Sequence, residues 1–431
     1  MIKKVKKLPK KAIPKKDILT EGKSFCIIPW IHLHTSPSGV AAPCCISESC
    51  ATEDGVGNSR TQSLSTIINS DKMKQLRLDM LSDVRNPECA KCHNHEDQGV
   101  VSFRKHANRD YEQFFGEAME TTNIDGSLSE FKMRYFDIRF SNICNFKCRT
   151  CGSGFSTQWE QEDLKNNVWF ARTIPKNDNK EFLSDVLGQI EHIETAYFAG
   201  GEPLITEEHY VILEEMIRSG RTDIQLSYNT NLSNLKFKDK DLLSLWSKFK
   251  KHIMIYASVD HYGDRAEYIR SGTNWGVVEN NFLTAKKTPY IHLQMNTVLS
   301  VFNCLTIHEF YQYLIDKELY KPKDNVYSLY NMSTPEHLSC HILPSHLKDR
   351  GKVSLERAIQ VMKDNKFTSG KITELEKSIG WIYAKDTWDI EKRKFQEELT
   401  RLDRIRGESF EKTFPELVEL LPFNRKRLFP I

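Results

Sequence analysis

MRYFDIRFSNICNFKCRTCG, residues 133–152, is the stretch that decides the fold of this chain. Residues 133–140 alternate in character and are rich in Tyr, Phe and Ile, which predicts a β-strand. The loop after the strand carries Cys144, Cys148 and Cys151. Three thiolates at this spacing can ligate three irons of a cubane cluster, and one iron keeps an open position because no fourth cysteine lies close by. The alternatives are a zinc site that lacks one ligand, or buried free thiols.

A later segment, ETAYFAGGEPL at residues 194–204, reads as a strand that ends in Gly200 and Gly201. Glycine lets backbone groups approach a ligand closely. The next residue, Glu202, is able to accept a charge-assisted hydrogen bond from a ligand ammonium group. Taken by itself, Gly-Gly-Glu-Pro also fits a simple turn.

Three further segments also read as alternating strands ending in small polar residues: residues 223–231, 252–260 and 289–300. Such strands, with helices between them, predict a parallel βα barrel that carries its site on one rim. Each of the polar residues, taken singly, fits a helix cap or a turn equally well.

The cysteine triplet after a first strand, with Gly-Gly-Glu-Pro after a later one, resembles the radical S-adenosylmethionine (radical SAM) superfamily. The resemblance implies an α/β fold with a partial (β/α)6 TIM-like barrel, in which Cys144, Cys148 and Cys151 hold a [4Fe–4S] cluster. It also implies that the open iron binds the amine and carboxylate of S-adenosylmethionine. Reduction then cleaves S-adenosylmethionine to methionine and a 5′-deoxyadenosyl radical. Thr150 stands where the family usually has an aromatic residue.

The resemblance further assigns residues to the rest of S-adenosylmethionine. The methionine portion is expected at the glycine pair and the two residues after it: Gly200, Gly201, Glu202 and Pro203. The nucleoside is expected at the polar ends of the later strands: Asn229, Ser258, Asp260 and Asn296. No residue stands out as a catalytic acid or base.

A second group of cysteines precedes the first. Cys26 and Cys44 lie in a C-x12-G-x4-C pattern, and Cys89 and Cys92 form C-x2-C. Four thiolates in two pairs can close a complete metal site. Gly39 supplies the reversal of direction that brings Cys26 and Cys44 together, as in a hairpin. From the residues alone, zinc and iron–sulfur are both open.

This pattern resembles the twitch module, a shorter relative of the SPASM module. The resemblance implies that Cys26, Cys44, Cys89 and Cys92 hold an auxiliary [4Fe–4S] cluster. A fully ligated cluster would act as an electron relay or acceptor, and an incompletely ligated one could bind substrate directly; four ligands favour the relay. The module usually follows the barrel, whereas here it precedes it. Cys45 is adjacent to Cys44 and is an alternative ligand.

The composition fits a globular protein with a core, since 39% of the 431 residues are hydrophobic. The net charge of +3 argues against a polyanionic partner for the whole protein. Residues 1–16 contain eight lysines and read as a disordered tail, with nucleic acid or an anionic surface as the less favoured alternative. A cytoplasmic protein is expected, because the start lacks a signal peptide's apolar segment and no run of about 18 apolar residues occurs. In a reducing cytosol the eleven cysteines favour metal sites over disulfides.

Four segments are expected: a basic tail, the auxiliary module, the barrel and a helical C-terminal extension, at residues 1–20, 21–130, 131–345 and 346–431. Helical spacing in the extension covers residues 353–365, 371–383 and 386–405. The resemblance implies a radical SAM enzyme that modifies or oxidises a peptide or protein, with a reducing donor such as flavodoxin or ferredoxin. A small carbohydrate-type substrate is the second choice. A non-catalytic zinc or iron–sulfur protein is the alternative from another class.

Overall fold

The structure, a computed structural model, describes residues 6–9, 14–52, 55–168, 173–174, 177–322 and 327–422. It divides into two compact units. The first unit comprises Met1–Cys144, Ser153–Tyr228 and Lys238–Ile253, and the second comprises Asn145–Gly152, Asn229–Phe237 and Met254–Ile431. Parts of the predicted lysine tail, residues 1–5 and 10–13, lie outside the described residues, as does the end of the predicted extension, residues 423–431.

The strands of the described residues are short and spread along the chain. They are β1 His32–Thr35, β2 Val40–Ala42, β3 Gly57–Asn58, β4 Tyr135–Ile138, β5 Lys147–Cys148, β6 Thr195–Phe198, β7 Gln225–Thr230, β8 Lys236–Phe237, β9 Lys240–Asp241, β10 Ile253–Ser258, β11 Arg270–Ser271, β12 Ile291–Leu299 and β13 Tyr327–Asn331.

The helices between them are α1 Ile18–Glu21, α2 Ile28–Ile31, α3 Leu64–Ile68, α4 Asp71–Leu81, α5 Ala90–Asp97, α6 Phe103–Asp110, α7 Phe115–Thr121, α8 Thr157–Lys165, α9 Lys180–Gly188, α10 Glu207–Arg218 and α11 Leu242–Trp246. The second unit continues with α12 Gly263–Ile269, α13 Trp275–Lys287, α14 Ile307–Asp316, α15 Ser345–Asp364, α16 Ser369–Ile382, α17 Trp388–Arg406 and α18 Phe410–Thr413.

The sheet of the first unit has the strand order β3-β2-β1-β4-β6-β7, with the first four residues of β7 in this unit. In this sheet β1, β4, β6 and β7 pair in parallel, and β1, β2 and β3 form an antiparallel meander at the other side. Phe136 on β4 packs on Phe198 on β6 with ring centroids 5.3 Å apart, and Phe198 stacks on Tyr228 on β7 at 5.0 Å. These alternate residues therefore form the aromatic core of one sheet face.

The sequence of residues 65–84 predicts one helix with Ile67, Met73, Leu76 and Met80 as its apolar stripe. The structure has two helices there, α3 and α4. Ser70 separates them, because its extended backbone ends the first and its hydroxyl accepts a hydrogen bond from the Met73 amide at 3.4 Å. The expected apolar stripe is buried, with Met73, Leu76 and Met80 each at most 2% exposed. The stripe was predicted correctly, and the cap within it was missed.

In the second unit β10, β12 and β13 are neighbours in that order, and β12 is parallel to β13. β5 and β11 form a separate antiparallel pair. The three helices predicted for the C-terminal extension are present as α15, α16 and α17, which bury Leu355, Leu375 and Leu399 respectively. Their polar faces follow from the high charge of this segment.

The predicted α/β class is confirmed, with parallel strands, intervening helices and a helical C-terminal region. Within the described residues the strand order of neither unit closes into a barrel. The parallel pairing of β1 with β4 was not anticipated. The division into four segments stays a prediction. No helix in the described part of the chain is both long and apolar enough to cross a membrane.

Candidate functional site

The loop after β6 lies against the residue that precedes the first cysteine of the triplet. A Cβ atom on Gly201 would lie 2.1 Å from the carbonyl oxygen of Ile143, so only glycine fits there. Gly200 has a φ of 131°, a left-handed conformation that side chains disfavour. The amide of Glu202 donates to the same Ile143 carbonyl at 2.6 Å. The glycine pair thus fixes the start of the loop that begins at Cys144.

Glu202 is 2% exposed and is the N-cap of the one-turn 3-10 helix Pro203–Ile205. Its carboxylate accepts from the amide of Leu204 at 3.1 Å, and its carbonyl accepts from the hydroxyl of Thr206 at 3.0 Å. The carboxylate is therefore held in one orientation.

In the second unit, Cys148 lies on β5 and is paired through the backbone with Arg270 on β11. Arg270 Nη1 donates to Cys148 Sγ at 3.8 Å, and Arg270 Nε lies 2.9 Å from Asp260 Oδ2. Burial raises the pKa of Cys148 to about 11, against the opposing effect of Arg270. Burial also raises the pKa of Cys151. Metal binding would release these protons, because the thiolate is the ligand.

Asp260, expected near the nucleoside, is 1% exposed, and its carboxylate is engaged by the protein. Besides the ion pair with Arg270, its Oδ1 accepts from the amide of Val298 on β12 at 2.9 Å. Burial alone would disfavour the Arg270 cation, but Asp260 and Cys148 hold its pKa above the usual value. Asp260 therefore orients the cation beside Cys148.

The remaining nucleoside candidates lie at half-buried positions of the second unit's strands: Asn229, Ser258 and Asn296. Asn296 Nδ2 donates to Asn229 Oδ1 at 3.4 Å. In the described part of the chain, the buried Oδ1 of Asn296 has no hydrogen-bond partner. A buried acceptor left unpaired is costly, so this atom fits a donor on a bound ligand, such as a nucleoside hydroxyl or amino group.

The second cysteine group converges within the first unit. Burial raises the pKa of Cys26, and the nearby thiols of Cys89 and Cys92 raise it further. Burial also raises the pKa of Cys44, with added effects from Cys26 and Cys89. The pKa of Cys89 rises to about 12 through burial and through Cys92. Four thiols from three chain segments thus influence one another, and this donor set fits a thiolate-ligated cluster.

The two adjacent cysteines at positions 44 and 45 have different surroundings. After burial, which raises the pKa of Cys45 to about 11, the strongest influences on its thiol are Asp137 and Arg139. Cys44, by contrast, is influenced by the thiols of Cys26 and Cys89. These electrostatic neighbours favour Cys44 over Cys45 as the fourth member of the group.

Arg104 is a buried residue that follows the C-x2-C pattern, and the sequence predicts a structural role for it and for Glu96. Its Nη1 donates to the carbonyls of Gly22 at 3.0 Å and Phe25 at 2.9 Å, and its Nε donates to Glu96 Oε1 at 3.0 Å. It also opposes the burial that raises the pKa of Cys26. The sequence signal was an arginine shortly after the C-x2-C pattern, but nothing local tied it to Cys26.

Within the described residues, no three His, Cys, Asp or Glu side chains are gathered closely enough to hold a single metal ion. The thiolates around a cubane bind different irons, so the fit of both cysteine groups rests on their donor type and neighbours.

Residues 26–93 match the family model of SPASM, an iron–sulfur cluster-binding domain. No curated protein matches the chain. A solved structure described as native anSMEcpe with bound AdoMet and the Cp18Cys peptide is 17% identical, with a TM-score of 0.37 over 53% of this chain and 60% of that one. Streptococcus suis SuiB bound to S-adenosylmethionine is 13% identical, with a TM-score of 0.32 over 71% of this chain and 63% of that one. This chain therefore spans less than two thirds of either protein.

A third structure, TYW1 with a lysine–pyruvate adduct bound, is 14% identical, with a TM-score of 0.28 over 54% of this chain and 71% of that one. The iron–sulfur assignment rests on the family match, which covers all four members of the second cysteine group and favours iron–sulfur over zinc. The predicted SPASM-like module is confirmed: the chain carries a SPASM-type iron–sulfur cluster-binding domain in residues 26–93.

Proposed function

We propose that this chain is a radical SAM enzyme with two [4Fe–4S] clusters, which cleaves S-adenosylmethionine reductively and abstracts a hydrogen atom from a substrate. One observation carries the proposal: Gly201, the second glycine of the pair, is fitted to the carbonyl of Ile143, one residue before Cys144. That contact joins the two motifs of the resemblance although they are more than 50 residues apart in the sequence.

In this proposal Cys144, Cys148 and Cys151 hold the first cluster, which when bound would supply the electron for cleavage. Arg270 stabilises the thiolate of Cys148 by its positive charge and its hydrogen bond to the sulfur. The loop of Gly200, Gly201, Glu202 and Pro203 would take the methionine portion, and Asn296 offers its unpaired acceptor to the nucleoside.

The second cluster, held by Cys26, Cys44, Cys89 and Cys92, would serve as an electron relay. Four thiolate ligands leave no iron open, so direct substrate binding there is disfavoured. Arg104 stabilises this thiolate set electrostatically from a buried position.

For the substrate, the proposal keeps a peptide or protein. This follows the habit of the superfamily that the two motifs resemble, and the anSMEcpe structure compared above holds a bound peptide. A small carbohydrate-type molecule is the second candidate. A small reducing protein such as flavodoxin or ferredoxin would supply the electron.

Anaerobic reconstitution of the whole chain tests the proposal. We expect about eight irons per chain, as two cubanes require, and 5′-deoxyadenosine from S-adenosylmethionine under a strong reductant. Cys148→Ala should halve the iron and abolish the product. Cys304→Ala is the matched control, because it removes a buried thiol outside both groups and should change neither quantity.

A wild-type chain that binds iron and sulfide but forms no 5′-deoxyadenosine would establish the alternative, a non-catalytic iron–sulfur protein. Zinc in place of iron, with full retention in Cys148→Ala, would overturn the [4Fe–4S] assignment of the first group.

A further inference from the structure

We propose that Asp403, near the C-terminal end of α17, and Glu408, just after it, hold the loop that carries Cys148 and Cys151. They do so through Arg149, which is the positioning residue in that loop. The three residues Arg149, Asp403 and Glu408 are here named the Arg149 clamp. The inference rests on the proposed function only in giving that loop a cluster to hold. The clamp itself is a contact within the second unit.

Arg149 stands between the two cysteines, and its side chain is 1% exposed. Its Nη2 donates to Asp403 Oδ1 at 2.7 Å and to Glu408 Oε2 at 2.5 Å. Its guanidinium carbon lies 3.7 Å from the centroid of the Tyr268 ring, a cation–π contact. A buried guanidinium with two carboxylates is directional, because its donors form a rigid planar fork.

The two carboxylates are themselves fixed. Asp403 accepts from the hydroxyl of Tyr268 at 2.6 Å and from the amide of Phe410 at 2.7 Å. Glu408 accepts from the hydroxyl of Ser271 at 2.5 Å. Gly407, with a φ of 66°, ends α17 in a left-handed turn that places Glu408 beside Ser271. Each carboxylate of the clamp therefore has a second anchor besides Arg149.

The backbone of the cysteine loop is held at the same point. The amide of Arg149 donates to the carbonyl of Ile269 at 2.8 Å, and the amide of Cys151 donates to the carbonyl of Cys148 at 3.0 Å. The clamp thus anchors the residue that directly follows Cys148, while the backbone turn from Cys148 to Cys151 limits the separation of the two cysteines. A loop without the clamp would present the same thiols in many orientations, and cluster binding would carry the ordering cost.

A second ion pair of the C-terminal segment supplies a matched control. Glu416 Oε1 lies 2.6 Å from Arg265 Nη1, with side chains 13% and 19% exposed. This pair ties the same segment to α12 rather than to the cysteine loop. A variant without this pair therefore shows the effect of loosening the C-terminal segment without changing the contacts of Arg149.

The test compares Asp403→Asn and Glu408→Gln with Glu416→Gln in the full-length chain. Amide hydrogen exchange of residues 145–152 is measured in the metal-free protein, and iron loss to a chelator is measured after reconstitution. We expect exchange in this segment, and loss of the first cluster, to be faster by about tenfold in the two clamp variants. Glu416→Gln should change neither, although its melting temperature also falls.

Equal exchange of residues 145–152 in clamp and control variants would overturn the clamp. If a carboxylate variant fails to fold, Tyr268→Phe removes only the hydroxyl that holds Asp403 and should give a smaller increase of the same kind. Faster exchange in a chain whose wild type binds no first cluster would leave the clamp standing and refute the proposed function. Normal S-adenosylmethionine cleavage by the wild type, with unchanged exchange of residues 145–152 in the clamp variants, would support the proposed function and refute the clamp.

Discussion

The two cysteine groups of this chain are built in opposite ways. Cys144, Cys148 and Cys151 lie within one short loop, so the sequence itself brings them together. Cys26, Cys44, Cys89 and Cys92 come from three separated segments, and only the packing of the first unit gathers them. A local group needs external residues to hold its orientation, whereas a group assembled by the fold is held by the core around it.

This difference predicts where each group is vulnerable. The loop group depends on a few polar contacts, chiefly Arg149 with its carboxylates and Arg270 with Asp260. The auxiliary group depends on buried residues such as Arg104, which also support the fold. Variants of the first kind should affect cluster chemistry more than stability, and variants of the second kind should affect both.

The largest expected effect comes from replacing the adjacent cysteines, Cys44 and Cys45, one at a time. Cys44→Ser should remove about four irons per chain, one cubane, and stop substrate turnover, because the thiol of Cys44 belongs with the other three. Cys45→Ser should keep the iron, since its thiol neighbours Asp137 and Arg139. Iron and sulfide analysis with turnover assays measures this, and the opposite pattern would make Cys45 the ligand.

The next effect is on stability. Arg104→Met leaves the carboxylate of Glu96 without its cationic partner and two backbone carbonyls without this donor, so the free energy of unfolding should fall by about 3–5 kcal/mol. Urea unfolding of the metal-free protein measures this. Arg85→Met removes an exposed pair with Asp97 and should change little. Similar losses in the two variants would contradict the structural role of Arg104.

A smaller loss of unfolding free energy is expected from a substitution where the glycine pair meets the first cysteine loop. Gly201→Ala places a methyl group 2.1 Å from the carbonyl of Ile143, and the strain should cost about 3 kcal/mol. Gly154→Ala, which meets nothing within 4 Å, is the control and should be nearly neutral. Urea unfolding and S-adenosylmethionine binding check both. Unchanged binding in Gly201→Ala would separate the glycine pair from the ligand.

The smallest expected effect is on the pH dependence of stability. It tests the sheet of the first unit independently of both cysteine groups. Burial lowers the pKa of His209 to about 3. The unfolded chain takes up this proton near pH 6.5 and the folded chain does not, so stability is complete above that pH and is lost as the pH falls. At pH 5 this histidine should cost about 2 kcal/mol. His209→Gln should reduce the stability difference between about pH 7.5 and pH 5 by that amount; an unchanged difference would assign the acid sensitivity elsewhere.

Local patterns predicted the parts of the molecule that depend on local sequence. Period-two alternation indicated β4, β6 and β7, and helical spacing indicated α15, α16 and α17, because hydrophobic periodicity follows which face is buried. The members of both cysteine groups could be proposed from spacing alone. Spacing left open the choice between Cys44 and Cys45. Two adjacent side chains point in different directions, and which of them faces the other cysteines is known only once the backbone is known.

Long-range pairings could not be read from the sequence. Arg149 and Asp403 are 254 positions apart, and neither residue carries a pattern that points to the other. The reversal predicted at Gly39 is present as the antiparallel pair β1 and β2, but nothing in the sequence of β1, HLHT, points to β4 as its other neighbour. Such contacts are decided by tertiary packing, which short windows of sequence do not report.

The parallel pairing of β1 with β4 has a consequence for dissecting the chain. β1 belongs to the SPASM-matching residues, yet it supplies the hydrogen-bonding neighbour of the first predicted barrel strand, in the register His34 to Asp137. A truncated chain that starts at residue 131 would leave β4 as a bare edge, open to pairing with other molecules and hence to aggregation. The cysteine-rich segment therefore completes the sheet that its neighbour needs, and domain exchange or deletion at residue 131 would damage both halves.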